Sequence, residues 1–385
     1  MKILLISGEF QPMQGGVGDF TRELGLAMAD LGAEVHVLTS VRAEPLPGGK
    51  VTVHPVVPRW GWGSLRLALE LVRRIEPDWV DIQYQTAAYG MRPAINLLPL
   101  ALRLRRSRAK VAVTFHDLRE PYLFPKAGPL RPLATRALLS WSDAAIVTNR
   151  EDEEILAGHG GHPSRALIPI GSNITPRPPQ GYDREARRAR LGAGPGEPLV
   201  CYFGFLNESK GGEALVRALV RLREGGRPAR LVMVGGKVGA SDPTNAAYAG
   251  RVEALIEELG LAEAVHWTGF TGPQEVSANL MAADACLLPY RDGASFRRGS
   301  FMAALAHGLA IVSTRPRVEL PELADGENIL LAPADDVEAL ADQTARILDD
   351  LGLRTRLGEG ARELSRRFEW PRIAGETLEL FERMG

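Results

Sequence analysis

The sequence predicts an α/β protein made of two Rossmann-like, doubly wound parallel-sheet domains facing an interdomain cleft. Three observations carry this expectation. Apolar runs of strand length alternate with amphipathic segments of helix length through both halves, a single proline- and glycine-rich polar stretch interrupts them midway, and 385 residues exceed one ordinary core.

The first forty residues set the pattern. An apolar run at 3–6 is followed by a turn with Gly15, Gly16 and Gly18. Phe20, Leu24, Ala27, Met28 and Leu31 then recur at helical spacing, Gly32 supplies a stop, and a second strand follows at 35–38. Further apolar strands at 79–82, 111–115 and 144–147 extend this unit into a parallel sheet covered on both faces. Periodicity stops after Gly171, where Pro176, Pro178, Pro179 and Gly181 crowd a polar segment. It restarts with strands at 199–203, 231–234, 265–267, 285–288 and 310–313. The expected division is a first domain over 1–173, a linker over 174–196 and a second domain over 197–370. The closing helix, 371–385, is expected to return to the first domain.

Composition narrows the partners. Hydrophobic residues at 45% and charged residues at 24% belong to a folded globular chain rather than a disordered one. A net charge of −1 gives no overall field for nucleic acid or an anionic membrane, and no stretch interleaves aromatic and basic residues as a nucleic-acid platform does. Cys201 and Cys286 each sit in an apolar run, which argues against a disulfide framework. The opening apolar run is too short for a signal-peptide core, and no apolar run reaches the roughly 18 residues of a spanning helix. A cytoplasmic location is the default expectation. The basic run 102–108, with Trp60 and Trp62, leaves open a peripheral contact at the inner face of a membrane, although a buried helix with a basic C-terminus is favoured.

Several short motifs recur in a fixed order. They are Gly15-Gly16-Val17-Gly18, Thr114-Phe115-His116-Asp117 at a strand end, and Phe203-Gly204 leading to Ser209-Lys210-Gly211-Gly212. Trp267-Thr268-Gly269-Phe270, Ala304-Leu305-Ala306-His307-Gly308 and Pro321-Glu322-Leu323 complete the series. The ordered set resembles the retaining GT-B glycosyltransferases of glycosyltransferase family 4 over nearly the whole chain. That resemblance implies a nucleotide diphosphate-sugar donor bound by the second domain, an acceptor on the first, retention of anomeric configuration, and no metal or other cofactor. Two glutamates and an arginine usual in the family fall on Ser295, Ala303 and Phe205.

Bond cleavage places negative charge on a diphosphate leaving group, so the site needs fixed cations and N–H donors. Lys210 supplies one, at a strand-to-helix turn. The Arg297-Arg298-Gly299-Ser300 turn supplies others, with Arg298 expected to replace the charge missing at Phe205. Gly16, Gly204, Gly235, Lys237, Gly269, Phe270 and Glu322 complete the expected donor side. Gly15, Gly16, Tyr84, His116 and Asp117 form the acceptor side, with His116, Lys210 and Arg298 as catalytic candidates and Asp117 orienting the His116 ring. Glu319 is expected to cap a helix or lie in water. The histidines are scattered and no metal-ligand cluster is visible. The glycine loop departs from the dinucleotide fingerprint because no acidic residue ends the second strand, which disfavours a nicotinamide enzyme. The alternatives are a nucleotide-sugar epimerase of the same architecture and a catalytically weakened sugar-nucleotide-binding subunit.

Overall fold

The computed structural model describes residues 1–13, 15–118, 130–158, 164–236 and 243–385, which fall into two compact units, Met1–Asn173 with Glu369–Gly385 and Ile174–Phe368. Each holds one parallel sheet, so the two α/β domains expected from the sequence are present.

In the first unit the described strands are β1 (Lys2–Ser7), β2 (Glu34–Ser40), β3 (Val51–Val57), β4 (Trp79–Tyr84), β5 (Lys110–Phe115), β6 (Ala144–Val147) and β7 (Arg165–Leu167). Their order is β3-β2-β1-β4-β5-β6-β7. The intervening helices are α1 (Gly16–Asp30), α2 (Trp62–Ile75), α3 (Leu98–Leu104), α4 (Leu130–Trp141) and α5 (Arg150–Gly158). Side chains alternate across a strand, so the unbroken apolar run of β1 feeds two cores. Ile3 and Leu5 join Phe20 and Leu24 of α1 on one face, while Leu4 and Ile6 join Ala68 and Leu71 of α2 and Leu98 of α3 on the other. Each such residue is buried, which contributes about 1.5–3 kcal/mol for each Leu, Ile and Phe side chain. The helix Trp370–Met384 belongs to this unit. It packs on α1, stacks Phe381 on Trp79 at 4.4 Å, and sends the Trp370 indole N–H to the Ser172 carbonyl at 2.9 Å.

The second unit runs α6 (Arg184–Arg190), β8 (Leu199–Phe203), α7 (Gly212–Glu224), β9 (Arg230–Val234), α8 (Pro243–Glu258), β10 (Val265–Trp267), α9 (Pro273–Ala282), β11 (Ala285–Leu288), α10 (Gly299–Ala306), β12 (Ile311–Thr314) and β13 (Leu330–Ala332), followed by α11 (Val337–Asp349) and α12 (Leu351–Ser365). Its strand order is β10-β9-β8-β11-β12-β13. Cys201 and Cys286 face each other in register on β8 and β11 as buried free thiols.

The stretch 174–196, expected as a linker, instead starts the second unit. The Asp183 carboxylate caps α6 through the Ala186 N–H at 2.9 Å. The buried Arg188 donates to the Asp284 carboxylate at 2.9 Å and the Ala282 carbonyl at 2.8 Å. An anchor made by a charged helix leaves no apolar periodicity to read. The edge strands β3, β7 and β13 were also not anticipated.

Candidate active site

Doubly wound sheets bind ligands beyond the carboxyl ends of their strands, at the point where strand order reverses. In the second unit that point lies between β8 and β11. Gly204 follows β8 with φ +120°, and its N–H bonds the Val234 carbonyl at 3.1 Å. A Cβ there would stand 3.0 Å from Lys210 Nζ and 3.5 Å from Ser300 Cβ. Glycine is thus required by its backbone angle and by the approach of two side chains. Lys210 closes a short 3₁₀ turn, Glu208–Lys210, and the helix expected to open near Gly211 begins at Gly212. Among the described residues no carboxylate pairs with Lys210. Burial, and then the charge of Arg298, pull its ammonium down to about 8.

The 297–300 turn is not the exposed basic loop that arginine-rich turns usually form. Arg298 is the N-cap residue of α10, and its side chain is 11% exposed. Its guanidinium pairs with the Asp292 carboxylate and lies 4.2 Å from the centre of the Tyr290 ring, while its Nε has no hydrogen-bond partner. Arg297 reaches the other Asp292 oxygen at 3.6 Å. Ser300 shares a 2.7 Å hydrogen bond with the Tyr290 hydroxyl, and Gly299 opens the helix exposed to solvent. Asp292 and Tyr290 are absent from the sequence-derived set. The signal was available, since both follow the apolar run of β11 in a Tyr-Arg-Asp-Gly turn.

At the neighbouring strand ends, Gly235 and Gly269 form an antiparallel bridge, and the Gly235 N–H donates to Thr268 Oγ1 at 3.0 Å. A Cβ on Gly235 would lie 3.8 Å from the Gly204 nitrogen, so these glycines continue a floor of bare backbone. Phe270 is 67% exposed beside it. Lys237 lies outside the described residues. Glu322 is half-buried, with Oε1 3.9 Å from Arg367 and its carbonyl bonded by Asn328, while Glu319 is exposed.

In the first unit strand order reverses between β1 and β4. His116 follows β5, with its Nε2 2.9 Å from Gln83 Oε1 and its ring edge-on to Phe20 at 4.6 Å. Gln83 in turn donates its amide to the Asp81 carboxylate at 2.6 Å, and Thr114 donates to the same group at 2.9 Å. The ring is therefore oriented by Gln83. Because the Gln83 amide nitrogen is committed to Asp81, its oxygen accepts from His116 Nε2–H, and Nδ1 carries the lone pair. Burial lowers His116 to about 3, so the ring is neutral, and burial raises Asp81 to about 7.

Two acceptor-side expectations need correction. Tyr84 is 5% exposed, packed between Tyr89 and Phe115 with its hydroxyl bonded by Asn96, so it serves the core. The glycine loop is already capped from within the chain. The Glu9 carboxylate accepts from the Val17 N–H at 3.2 Å and the Gly18 N–H at 3.5 Å. Gly15 is extended, at φ −178°, and a Cβ there would lie 2.0 Å from Glu9 Oε1, so a side chain at this position would displace the Glu9 carboxylate from its cap. Gly16 is exposed. Burial raises the Glu9 carboxyl and the neighbouring Asp19 carboxyl above their usual values.

Among the described residues no group of His, Cys, Asp and Glu side chains is arranged to hold a metal ion, and no helix is long and apolar enough to cross a membrane. Two parallel doubly wound sheets, one with two cations and a helix N-terminus gathered at its switch point, define the GT-B class of glycosyltransferase. Comparison with known families agrees: residues 15–171 match the glycosyl transferase 4-like domain, and residues 197–350 match glycosyl transferases group 1. The chain belongs to this glycosyltransferase family. The D-inositol 3-phosphate glycosyltransferase of Corynebacterium glutamicum is 28% identical over 62% of this chain and 56% of its own length. The protein of the same name from Xylanimonas cellulosilytica is 28% identical over 95% of this chain and 91% of its own. Anabaena HepE, solved with UDP, superposes with a TM-score of 0.77 at 18% identity over the full length of both chains, and it was also solved with UDP-glucose.

Proposed function

We propose that this glycosyltransferase moves a sugar from a nucleoside diphosphate sugar to a polyhydroxylated acceptor with retention of anomeric configuration. The observation that carries the reading is the convergence of Lys210 Nζ and the Ser300 side chain on the bare backbone of Gly204, beside Arg298. As the glycosidic bond breaks, the bridging oxygen of the diphosphate takes up negative charge. Two fixed cations and the first-turn N–H groups of α10 stabilise that charge without reorganising. Lys210 and Arg298 thus supply the charge that a divalent metal supplies elsewhere.

The Gly235, Gly269 and Phe270 edge receives the nucleoside end, with Phe270 offering an exposed ring. Anabaena HepE, bound to UDP and UDP-glucose in the same fold, supports a uridine donor. Neutral His116 positions sugar by accepting a hydroxyl proton at Nδ1. The motif series shared with the retaining family supports retention, and the D-inositol 3-phosphate relatives support a polyol acceptor. The testing experiment incubates purified chain with UDP-sugars and polyols, then assigns the anomeric configuration of any product by NMR. Epimerised donor in the absence of acceptor, or no binding of any nucleoside diphosphate, overturns the reading.

A further inference from the structure

Tyr290 and Ser300 share one 2.7 Å hydrogen bond between two hydroxyl groups, so the pair holds two protons and uses only one of them. Which proton is spare decides what the site offers a ligand. Tyr290 is fully buried, and among the described residues its phenol meets no acceptor except Ser300 Oγ. A buried O–H left without an acceptor forfeits its solvation outright. The phenol therefore donates, and Ser300 Oγ accepts. Ser300, in the first turn of α10, keeps the spare proton, and among the described residues no other group takes it. Burial raises the phenol above its ordinary value, so it stays protonated through the neutral range.

The spare proton sits where a phosphoryl oxygen is expected. Ser300 Oγ lies 3.7 Å from the Cβ position of Gly204, and Lys210 Nζ lies 3.0 Å from the same point. Hydroxyl and ammonium thus approach one patch of bare backbone, beside the N–H groups that open α10. A hydroxyl that already accepts a hydrogen bond is polarised and becomes a stronger donor.

Tyr290 serves Arg298 with its ring. The guanidinium carbon lies 4.2 Å from the ring centre, while the Asp292 carboxylate holds one of its N–H groups. Among the described residues the buried Arg298 Nε–H has no partner, which leaves a second donor for a phosphoryl oxygen. The tyrosine is itself fixed from behind. Its N–H donates to the Leu288 carbonyl at 2.9 Å, and its carbonyl accepts from the Gly293 N–H at 3.3 Å and from the Thr314 hydroxyl of β12.

We infer that Tyr290 is a positioning residue of the diphosphate site: without touching the sugar nucleotide, its hydroxyl turns the Ser300 proton toward a phosphoryl oxygen and its ring face seats Arg298. The inference rests on the glycosyltransferase reading above and adds the residue that sets the direction of donation at Ser300.

The test measures binding of UDP and of uridine to the full chain by calorimetry. Tyr290→Phe keeps the ring under Arg298 and removes only the hydroxyl. UDP affinity is expected to fall about three- to tenfold, because Ser300, no longer given a proton, turns its own toward the helix carbonyl of Phe296. Uridine carries no phosphate and should bind within about twofold of its affinity for the unaltered chain, a distinction that a merely structural role would not produce. Ser300→Ala should cost UDP the same factor, and Tyr290→Phe with Ser300→Ala no more than either alone. Tyr290→Leu, which also removes the face under Arg298, should weaken UDP further than Tyr290→Phe. Unchanged UDP affinity in Tyr290→Phe, losses that multiply in the double variant, or an equal loss for uridine overturns the inference. Ser300→Ala probes the same bond from its other end, so unchanged UDP affinity there overturns it even if the tyrosine variants do not fold. Absence of UDP binding to the unaltered chain would defeat the donor reading instead, so the two failures are distinguishable.

Discussion

Lys210 Nζ stands 3.0 Å from the point that a Cβ on Gly204 would occupy, so the ammonium is packed directly onto the backbone that ends β8. Gly204→Ala therefore does two things at once. It forces a residue with a side chain to φ +120°, at a cost of about 1–3 kcal/mol, and it pushes the lysine off its seat. Nucleoside diphosphate affinity is expected to fall at least tenfold, and calorimetry on the folded variant checks it. Unchanged affinity would show that Lys210 need not sit there.

The same burial makes binding pH-dependent. Lys210 is held at about 8, below an ordinary lysine, first by burial and then by Arg298. Folding lowers this value, so the buried ammonium opposes stability below pH 8, and the opposition fades as pH rises toward the unfolded value. For binding the sign is reversed, because a diphosphate favours the charged form. UDP affinity is expected to be flat below pH 8 and to decline above it, with a proton taken up on binding near pH 9. Calorimetry in buffers of different ionisation enthalpy measures that uptake, and Lys210→Arg should abolish it.

Asp292 faces both arginines of the α10 turn. Asp292→Asn leaves the largely buried Arg298 guanidinium short of its counter-charge, which is expected to destabilise the free protein by about 3 kcal/mol. A bound diphosphate restores the missing negative charge. UDP should accordingly raise the melting temperature of the variant by more than it raises that of the unaltered chain. A smaller rise would mean that the diphosphate does not lie against Arg297 and Arg298.

Which features the sequence made legible follows from how each is stabilised. The central strands read clearly because β1, β5, β8 and β11 are covered on both faces and are written as nearly continuous apolar runs. β3 was not legible, for its edge position tolerates His54, Pro55 and alternating exposure, and β7 and β13 are three residues each. Gly204, Lys210 and Arg298 are legible as candidates because glycine turns and cations at strand ends have a direct phosphate logic. Asp292, three residues before Ser295, is not legible as a site residue because its pairing with Arg298 depends on the turn that folds between them. Glu9 was missed because its role depends on a fold-back onto the α1 terminus that spacing does not encode. Asp81 and Gln83 were hidden inside an apolar strand, where polar residues look like interruptions.

Glu9 gives a discriminating experiment on the glycine loop. Its carboxylate occupies the amides that a phosphate would otherwise use, so Glu9→Ala should loosen the α1 terminus by about 1 kcal/mol, the usual worth of a cap. UDP affinity should stay within twofold if the diphosphate rests on Lys210 and Arg298. A marked gain in affinity would instead show that the loop is a phosphate site held closed by Glu9.

The row Asp81, Gln83, His116 makes the last prediction. Asp81 and Gln83 are two residues apart on β4 and so face the same side, and both are fully buried. Folding raises Asp81 to about 7, so its contribution to stability is complete below its unfolded value near 3.8 and is lost as pH rises through 7. Asp81→Asn removes that titration, and its stability should stay level from pH 5 to 8 while that of the unaltered chain declines. The substitution also frees the Gln83 amide to rotate, because an asparagine can donate at any pH, whereas above pH 7 the Asp81 carboxylate only accepts. With the Gln83 nitrogen then facing the ring, His116 Nε2 must give up its proton and Nδ1 becomes the donor. Nitrogen-15 NMR of labelled histidine reads the tautomer directly. Turnover should fall while UDP affinity holds, because a ring that donates at Nδ1 no longer accepts a sugar hydroxyl there. An unchanged tautomer in Asp81→Asn would mean that Gln83 is held by its strand alone and that Asp81 exerts no control over His116.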